Sequence, residues 1–343
     1  MTKRASIALL ALLLAACATT SVEQRVDRII AAHPGKTIAV AYCELGGGTG
    51  SSVPRSLGSS VPRAARAPFA SEQLRNRGPE EPRDPSRCLL RNEHAVFHAA
   101  STMKVPVMFG IFEAVSRGEL RLDQPVRVKN DFVSIFDGSH YALEAREDSD
   151  KQLYDEIGHE LPLAELVRRM IVRSSNLATN IVIEFIGAPR VMELMKSIGA
   201  FNIQVLRGVE DDKAYHAGMN NTTTAFDLML TFRALAERRV ISPDASAQMI
   251  DILLGQEHND GIPAGLPPGT RVAHKTGSIT EISHDAGLVF RPDGTQYVLV
   301  VLTRGFKDGD EAQRVIAEIA KATWRPGGGT PPDQPPRTAA LHD

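Results

Sequence analysis

Apolar residues recur along this chain with two different periods. Over residues 21–32, Val22, Val26, Ile29 and Ile30 share one stripe, the spacing of an amphipathic helix. Residues 37–45 form a short, almost unbroken apolar run that reads as a strand, with residues 89–99 as its expected partner. Residues 101–117 are apolar on nearly every side, the mark of a helix buried all round. Leu163, Leu166, Met170 and Ile171 make another helical stripe. Residues 224–236 open on a cap-like Thr224 with Asp227 three residues on. Ser242-Pro243 starts a further helix with proline at its first position. Strand patterns return at 271–279, 286–291 and 296–303, the last two joined by an Asp293-Gly294 turn. Residues 310–324 close the pattern as an amphipathic helix. Strands from both chain ends around a helical middle predict one α/β sandwich rather than two separate domains.

Two stretches show no sustained apolar period. Residues 46–87 are rich in Gly, Ser, Pro and Arg and read as a disordered insertion; residues 326–343 read as a similar tail. The N-terminus has its own logic. Lys3 and Arg4 precede a short apolar run over residues 5–14, too short for a transmembrane helix of about 20 residues and suited to an export signal. Leu14-Ala15-Ala16-Cys17 follows, and resembles the lipobox of bacterial lipoproteins. The resemblance implies cleavage after residue 16 and a lipid on the Cys17 thiol. The plain alternative is an ordinary signal peptide cut elsewhere. Ala18 rather than Asp after the cysteine points, by likeness to Gram-negative sorting, to the outer membrane. The expected product is a periplasmic, lipid-anchored domain over residues 17–325 that touches the membrane only through its anchor.

Composition narrows the chemistry. Among 343 residues, Lys plus Arg total 39 and Asp plus Glu 41, a net charge of -2. No basic excess exists to neutralise a phosphate backbone, which argues against nucleic acid as a partner. Three cysteines exclude a disulfide-dense mini-protein and a multi-cysteine zinc module. Cys43 and Cys88 flank the insertion on two strands expected to pair. In an oxidising envelope they are a candidate disulfide; the alternative is two buried free thiols.

Three short motifs occur once each, in order: Ser101-Thr102-Met103-Lys104, Ser174-Ser175-Asn176 and Lys275-Thr276-Gly277-Ser278. Ser101 stands where a strand hands over to a helix. There the dipole and free N–H groups favour developing negative charge. Lys104 follows one helical turn later, on the same face. A lysine in a largely apolar helix should have a lowered pKa and can then activate the serine. The plain alternative, a capping serine beside a snorkelling lysine, fits poorly because the helix offers Lys104 little route to water. Lys275-Thr276-Gly277 lies in a strand, where alternation puts Lys275 and Gly277 on one face and glycine admits a close neighbour. Ser174 and Asn176 fall between two helical patterns, where a tight loop can point both inward; the plain alternative there is a helix cap.

The ordered trio resembles the penicillin-recognising serine hydrolases, most closely class A β-lactamases. The likeness runs from about Ser21 to Trp324 and includes Ala99-Ala100 and Asn221-Thr222-Thr223-Thr224-Ala225. It implies a β-lactamase-like sandwich: an antiparallel sheet with strands from both chain ends, flanked by helices, with an all-α subdomain in the middle. It implies that Ser101 is acylated by a lactam carbonyl, Lys104 moves protons, and Ser174 protonates the leaving nitrogen. Asn176 would hold the substrate's side-chain amide, and Lys275, Thr276 and Ser278 its carboxylate. The N–H groups of Ser101 and Ser278 would form the oxyanion hole. The substrate is then a β-lactam or a peptidoglycan-like small molecule, turned over by a monomer.

Two departures stand out. Ser175 occupies the place where class A enzymes usually carry Asp, leaving the looser Ser-x-Asn pattern shared with penicillin-binding proteins. The deacylating loop, usually Arg-x-Glu followed by Leu-Asn, reads Arg207-Gly208-Val209-Glu210-Asp211-Asp212, with the glutamate one residue late. Asn221 replaces the expected Asp partner of the loop arginine. Glu210 is the leading candidate base and Asp211 the second; the alternative is a solvated acidic turn. His274 and His284 lie near the motifs, and a surface or hydrogen-bonded core role outweighs metal binding for them. No metal and no cofactor are expected. Three readings compete: a β-lactam hydrolase, a D-alanyl-D-alanine peptidase of the same fold, and a lipoprotein that binds peptidoglycan or β-lactams without turnover. The intact Ser101/Lys104 pair speaks against the third.

Overall fold

The computed structural model describes residues 20–45 and 87–325. The export segment with Cys17, the 326–343 tail and all of the 46–87 insertion except Arg87 lie outside the described residues. A five-stranded antiparallel sheet forms the frame. Its strands are β1 (Thr37–Glu44), β2 (Cys88–Arg91), β9 (Arg271–Ile279), β10 (Ile282–Phe290) and β11 (Gln296–Arg304), in the order β2-β1-β11-β10-β9. Period two explains why both faces are apolar. In β1, Ala39, Ala41 and Cys43 join one core while Ile38, Val40 and Tyr42 join the other. In β11, Val298, Val300 and Leu302 face the first, and Tyr297, Leu299 and Val301 the second.

The second core is closed by the two terminal helices, α1 (Val22–Ala31) and α9 (Gly309–Thr323). Ser21 and Gln24 form a capping box on α1, and the Arg25 guanidinium donates to Ala322 O at 2.7 Å, tying α1 to α9. The first core packs the sheet against the helical middle. Its centre is α2 (Lys104–Ser116), buried from Lys104 through Ala114. Pro106 sits in its first turn, where a backbone N–H has no intrahelical partner to lose. Around it lie α3 (Leu163–Val172), α4 (Asn176–Ile186) and α5 (Ala188–Ser197). Then come α6 (Asp212–His216), α7 (Ala225–Ala236) and α8 (Pro243–Leu254). Thr224 and Ser242 cap α7 and α8 by accepting from Asp227 N and Ala245 N, each at 3.0 Å.

Three expectations need correction. Residues 89–99 do not form one strand. Cys88–Arg91 pairs with β1, Asn92 turns the chain at φ 49, and β3 (Phe97–His98) pairs elsewhere, with β8 (Thr222–Thr223). The polar Asn92-Glu93-His94 break is the cause, since asparagine tolerates the left-handed region. Strand β10 begins at Ile282, not residue 286, through the two-residue turn Thr280-Glu281. That turn carries no glycine or asparagine, and Glu281 takes φ 58 itself. The buried helix does not start at Ser101: Ala100–Met103 is a 3₁₀ turn that runs into α2.

Cys43 and Cys88 face each other across β1 and β2 and are joined as a disulfide. A bridge over a sequence separation of 45 stabilises by about 3–4 kcal/mol in the chain-entropy model. Thiol titration of denatured, unreduced protein should therefore find neither cysteine reactive; two reactive thiols beyond Cys17 would rule the bridge out.

Candidate active site

The nucleophile candidate sits on strained backbone. Ala100, immediately before Ser101, has φ 45; Ser174 has φ 61 and Glu210 φ 60. Non-glycine residues avoid this region unless surrounding structure holds them there, and such strain gathers at functional sites. At Ala100 the holding contacts are visible: its N–H donates to His98 Nδ1 at 3.0 Å, and the Thr102 hydroxyl donates to Ala99 O at 2.6 Å. Gly277 of β9 lies against this turn. A Cβ there would come within 3.1 Å of the backbone nitrogens of Ser101 and Thr102. Glycine is thus required by close approach, and β9 is the sheet's edge, so its outer backbone groups are not consumed by the ladder.

Lys104 is fully buried. Its Nζ donates to Ser174 O at 2.6 Å, Asn176 Oδ1 at 2.9 Å and Ser174 Oγ at 3.3 Å. Burial pulls its pKa down to about 7, against the opposing charges of Asp148 and Glu210. Lys275, also fully buried, donates to the same Ser174 Oγ at 2.9 Å and to Thr276 O at 2.9 Å. Burial and then the neighbouring Lys104 charge hold it well below the ordinary lysine value. Ser174 Oγ therefore accepts from two amines, which leaves its own proton free to be donated. Thr276 is half-buried and Ser278 exposed further along β9.

Glu210 joins the same network: Asn176 Nδ2 donates to its Oε1 at 2.8 Å. Its carboxyl is pushed above the usual range chiefly by burial, with Asp148 and Asp212 adding to the shift and the Asn176 bond and Lys104 opposing it. Repulsion within the 210–212 acidic cluster is thus not the main cause. Asp211, the second candidate base, is turned away. It accepts from Ser134 Oγ at 2.7 Å, Ile135 N at 3.0 Å and Ala214 N at 3.2 Å, capping α6.

The loop is clamped just before Glu210 by Asn180, a residue that none of the three motifs points to. Asn180 accepts from Val209 N at 2.7 Å and donates to Val209 O at 3.0 Å. A Cβ on Gly208 would come within 2.7 Å of both Asn180 Oδ1 and the Tyr141 hydroxyl. The available signal was spacing: Asn180 follows Asn176 by one helical turn, on the same face of α4. Asn221 does not pair with the Arg207 guanidinium. It grips the loop backbone, accepting from Leu206 N and Arg207 N at 2.8 and 3.1 Å and donating to Arg207 O at 3.0 Å. Arg207 donates to Gly208 O at 3.0 Å and lies over the Tyr215 ring.

Asp148 was also missed. It is buried, and its Oδ2 accepts from Asn176 N at 2.9 Å and Leu177 N at 2.8 Å. His274 and His284 occupy hydrogen-bonded core positions. His274 Nδ1 meets Asp285 Oδ1 at 2.8 Å, and His284 Nε2 meets His98 O at 3.0 Å.

Known proteins resemble this chain at several levels. The extended-spectrum β-lactamase PER-1 of Pseudomonas aeruginosa is 23% identical over 256 residues, 69% of this chain and 77% of that protein. A β-lactamase structure from Sphaerobacter thermophilus overlays with a TM-score of 0.66 at 24% identity, covering 88% of this chain and 95% of that one. A variant of PBP-A, solved as its acyl-enzyme complex with penicillin G, overlays with a TM-score of 0.65 at 21% identity, covering 88% and 94%. At such identities the overlays establish a common fold. Membership rests on a broader match: residues 82–325, which carry all three motifs, fit the model of the beta-lactamase enzyme family, and the chain belongs to that family.

Proposed function

We propose that the protein opens the β-lactam ring through an acyl-enzyme on Ser101. The observation that carries this is Ser174 Oγ held between the amines of Lys104 and of Lys275, the latter on the strand whose Gly277 lies against the Ser101 turn. Neutral Lys104 takes the Ser101 Oγ proton as that oxygen adds to the lactam carbonyl. The carbonyl oxygen gathers charge beside the N–H groups of Ser101 and Ser278. The C–N bond then breaks, and the nitrogen takes the Ser174 proton, which Lys104 replaces. Lys275, Thr276 and Ser278 receive the substrate carboxylate, and Asn176 its side-chain amide. Glu210 takes a proton from the water that attacks the ester and gives it up as the C–O bond breaks, so that Ser101 Oγ leaves as the hydroxyl and Glu210 is again a carboxylate. Steady-state turnover of a chromogenic cephalosporin by purified protein tests the reading; absence of turnover at any concentration would overturn it.

The protonation states give a second test. The reactive form of Lys104 is neutral, so the acylation rate should climb as pH rises through about 7. The form of Lys275 that attracts a carboxylate is charged. Its depressed pKa should bring the alkaline decline to lower pH than an ordinary lysine gives. Single-turnover acylation measured across pH would show this bell; a rate flat from pH 5 to 9 would exclude Lys104 as the base.

The proposal extends to location. Cys17 in its lipobox-like context would carry the lipid, placing a monomeric enzyme in the periplasm on the outer membrane, and a disulfide at Cys43–Cys88 suits an oxidising compartment. The mass of the mature N-terminal peptide reads out the lipid directly.

A further inference from the structure

The Ser174-Ser175-Asn176 motif has no carboxylate of its own, yet its loop closes on one. Asp148, 27 residues before Ser175, reaches in from the segment ahead of α3. Its Oδ2 accepts from the backbone N–H of Asn176 at 2.9 Å and of Leu177 at 2.8 Å, with the Ser175 hydroxyl at 3.3 Å and the Tyr154 hydroxyl at 3.2 Å. These are the first N–H groups of α4, donors with no partner inside the helix. Two residues on, Asp150 is buried as well and pairs with Arg169 at 3.0 Å and Arg173 at 3.1 Å, at the end of α3. The segment therefore grips the helix before the loop with one carboxylate and the helix after it with the other. Between the grips stands Ser174, at φ 61, whose carbonyl and hydroxyl both meet Lys104.

We propose that Asp148 is the positioning residue of this site: its carboxylate locks the 174–176 loop onto Lys104 and supplies the fixed negative charge that the buried ammonium faces. The inference rests on the proposed role of Lys104 as the base. The groups around that amine are Asp148 from the 148–150 segment, Glu210 from the α6 approach, Lys275 from β9, and Ser174 and Asn176 from the loop. Asp148 and Glu210 favour the charged amine, and a charged Lys104 in turn disfavours charge on Lys275. Removing the Asp148 charge must then move the Lys104 titration to lower pH, whereas losing a merely structural contact would not.

Covalent labelling by a fluorescent penicillin, followed against pH, provides the test. In Asp148→Asn the plateau rate should fall by about tenfold or more through misplacement of Ser174, and the midpoint should drop by roughly one pH unit. Ser175→Asp added to Asp148→Asn puts a carboxylate back within reach, still able to cap α4. It should recover both the rate and the midpoint, and it serves as the measurable variant if Asp148→Asn alone does not fold. A wild-type midpoint and plateau in Asp148→Asn, or a lowered Tm with the midpoint unmoved, would overturn the inference. So would a double variant that folds but keeps the low midpoint. Side-chain NMR titration of the Lys104 amine in protein never exposed to a β-lactam keeps the two readings apart. A wild-type Lys104 pKa that falls in Asp148→Asn upholds the role of Asp148 even if labelling fails, and failed labelling overturns only the assigned reaction.

Discussion

Ser101→Ala should lose covalent labelling by a fluorescent penicillin, a fall on the order of 10⁶ in acylation rate, the scale seen when a catalytic nucleophile is removed. The fold should barely notice. No side chain caps the 3₁₀ turn that carries Ser101, and the turn is held by the Thr102 N–H and hydroxyl, both donating to Ala99 O, and by the Ala100 N–H on His98. None of these needs the Ser101 hydroxyl. Alanine also suits helical backbone, so the stability change should stay within about 1 kcal/mol. The pairing of a large chemical loss with a small thermal one is what separates a nucleophile from a structural serine. Labelling that persists in the variant would move the nucleophile elsewhere, and a large drop in Tm would mean that Ser101 is part of the packing.

How far the site was legible in the sequence follows from how each residue is held. Ser101 and Lys104 are one helical turn apart, so their relation is local and the motif states it. Lys275 and Gly277 are fixed by strand alternation, which is also local, and the structure has Lys275 buried and Gly277 against the Ser101 turn. Asp148 has no such signal. It enters from an irregular segment, and nothing in a loop's composition tells which helix end its carboxylate will cap. Asp211 shows the converse. By residue type it is as good a base as Glu210, and only the cap it makes on α6 and its bond to Ser134 disqualify it. At the level of fold, the presence of five sheet strands was readable because each carries an apolar run, but the bounds of two were not: the 89–99 reading ran past β2, and the 286–291 reading missed the first residues of β10. The paired segments β4 (Pro125–Arg127) with β7 (Glu160–Pro162), and β5 (Phe132–Val133) with β6 (His140–Tyr141), are two or three residues long, below the length at which any period shows.

Glu210→Gln should still acylate and then fail to release. An acyl-serine ester beside an unactivated water hydrolyses slowly, and a positioned general base is worth roughly 10²–10⁴ in rate. Glutamine preserves the shape of the side chain and keeps an oxygen that can accept from Asn176 Nδ2, so the Lys104–Asn176–Ser174 network and the loop clamp at Asn180 should stand. What is lost is the carboxylate whose pKa burial has raised toward the range where a base both binds and returns a proton. Being ionised in its active form, that carboxylate also predicts a deacylation rate that falls in acid at a pH above the ordinary glutamate value. Mass spectrometry after mixing the variant with a penicillin should show the adduct persisting for minutes or longer, while the wild type returns to its free mass. Unchanged turnover in the variant would remove Glu210 as the base. Asp211 could not easily replace it, because its oxygens are already committed to Ser134, Ile135 and Ala214. A stable adduct in the wild type would place the protein with enzymes trapped by penicillin rather than those that destroy it. The reason would then lie in this loop, where a glutamate arrives one residue late and reaches Asn176 only on backbone held at φ 60.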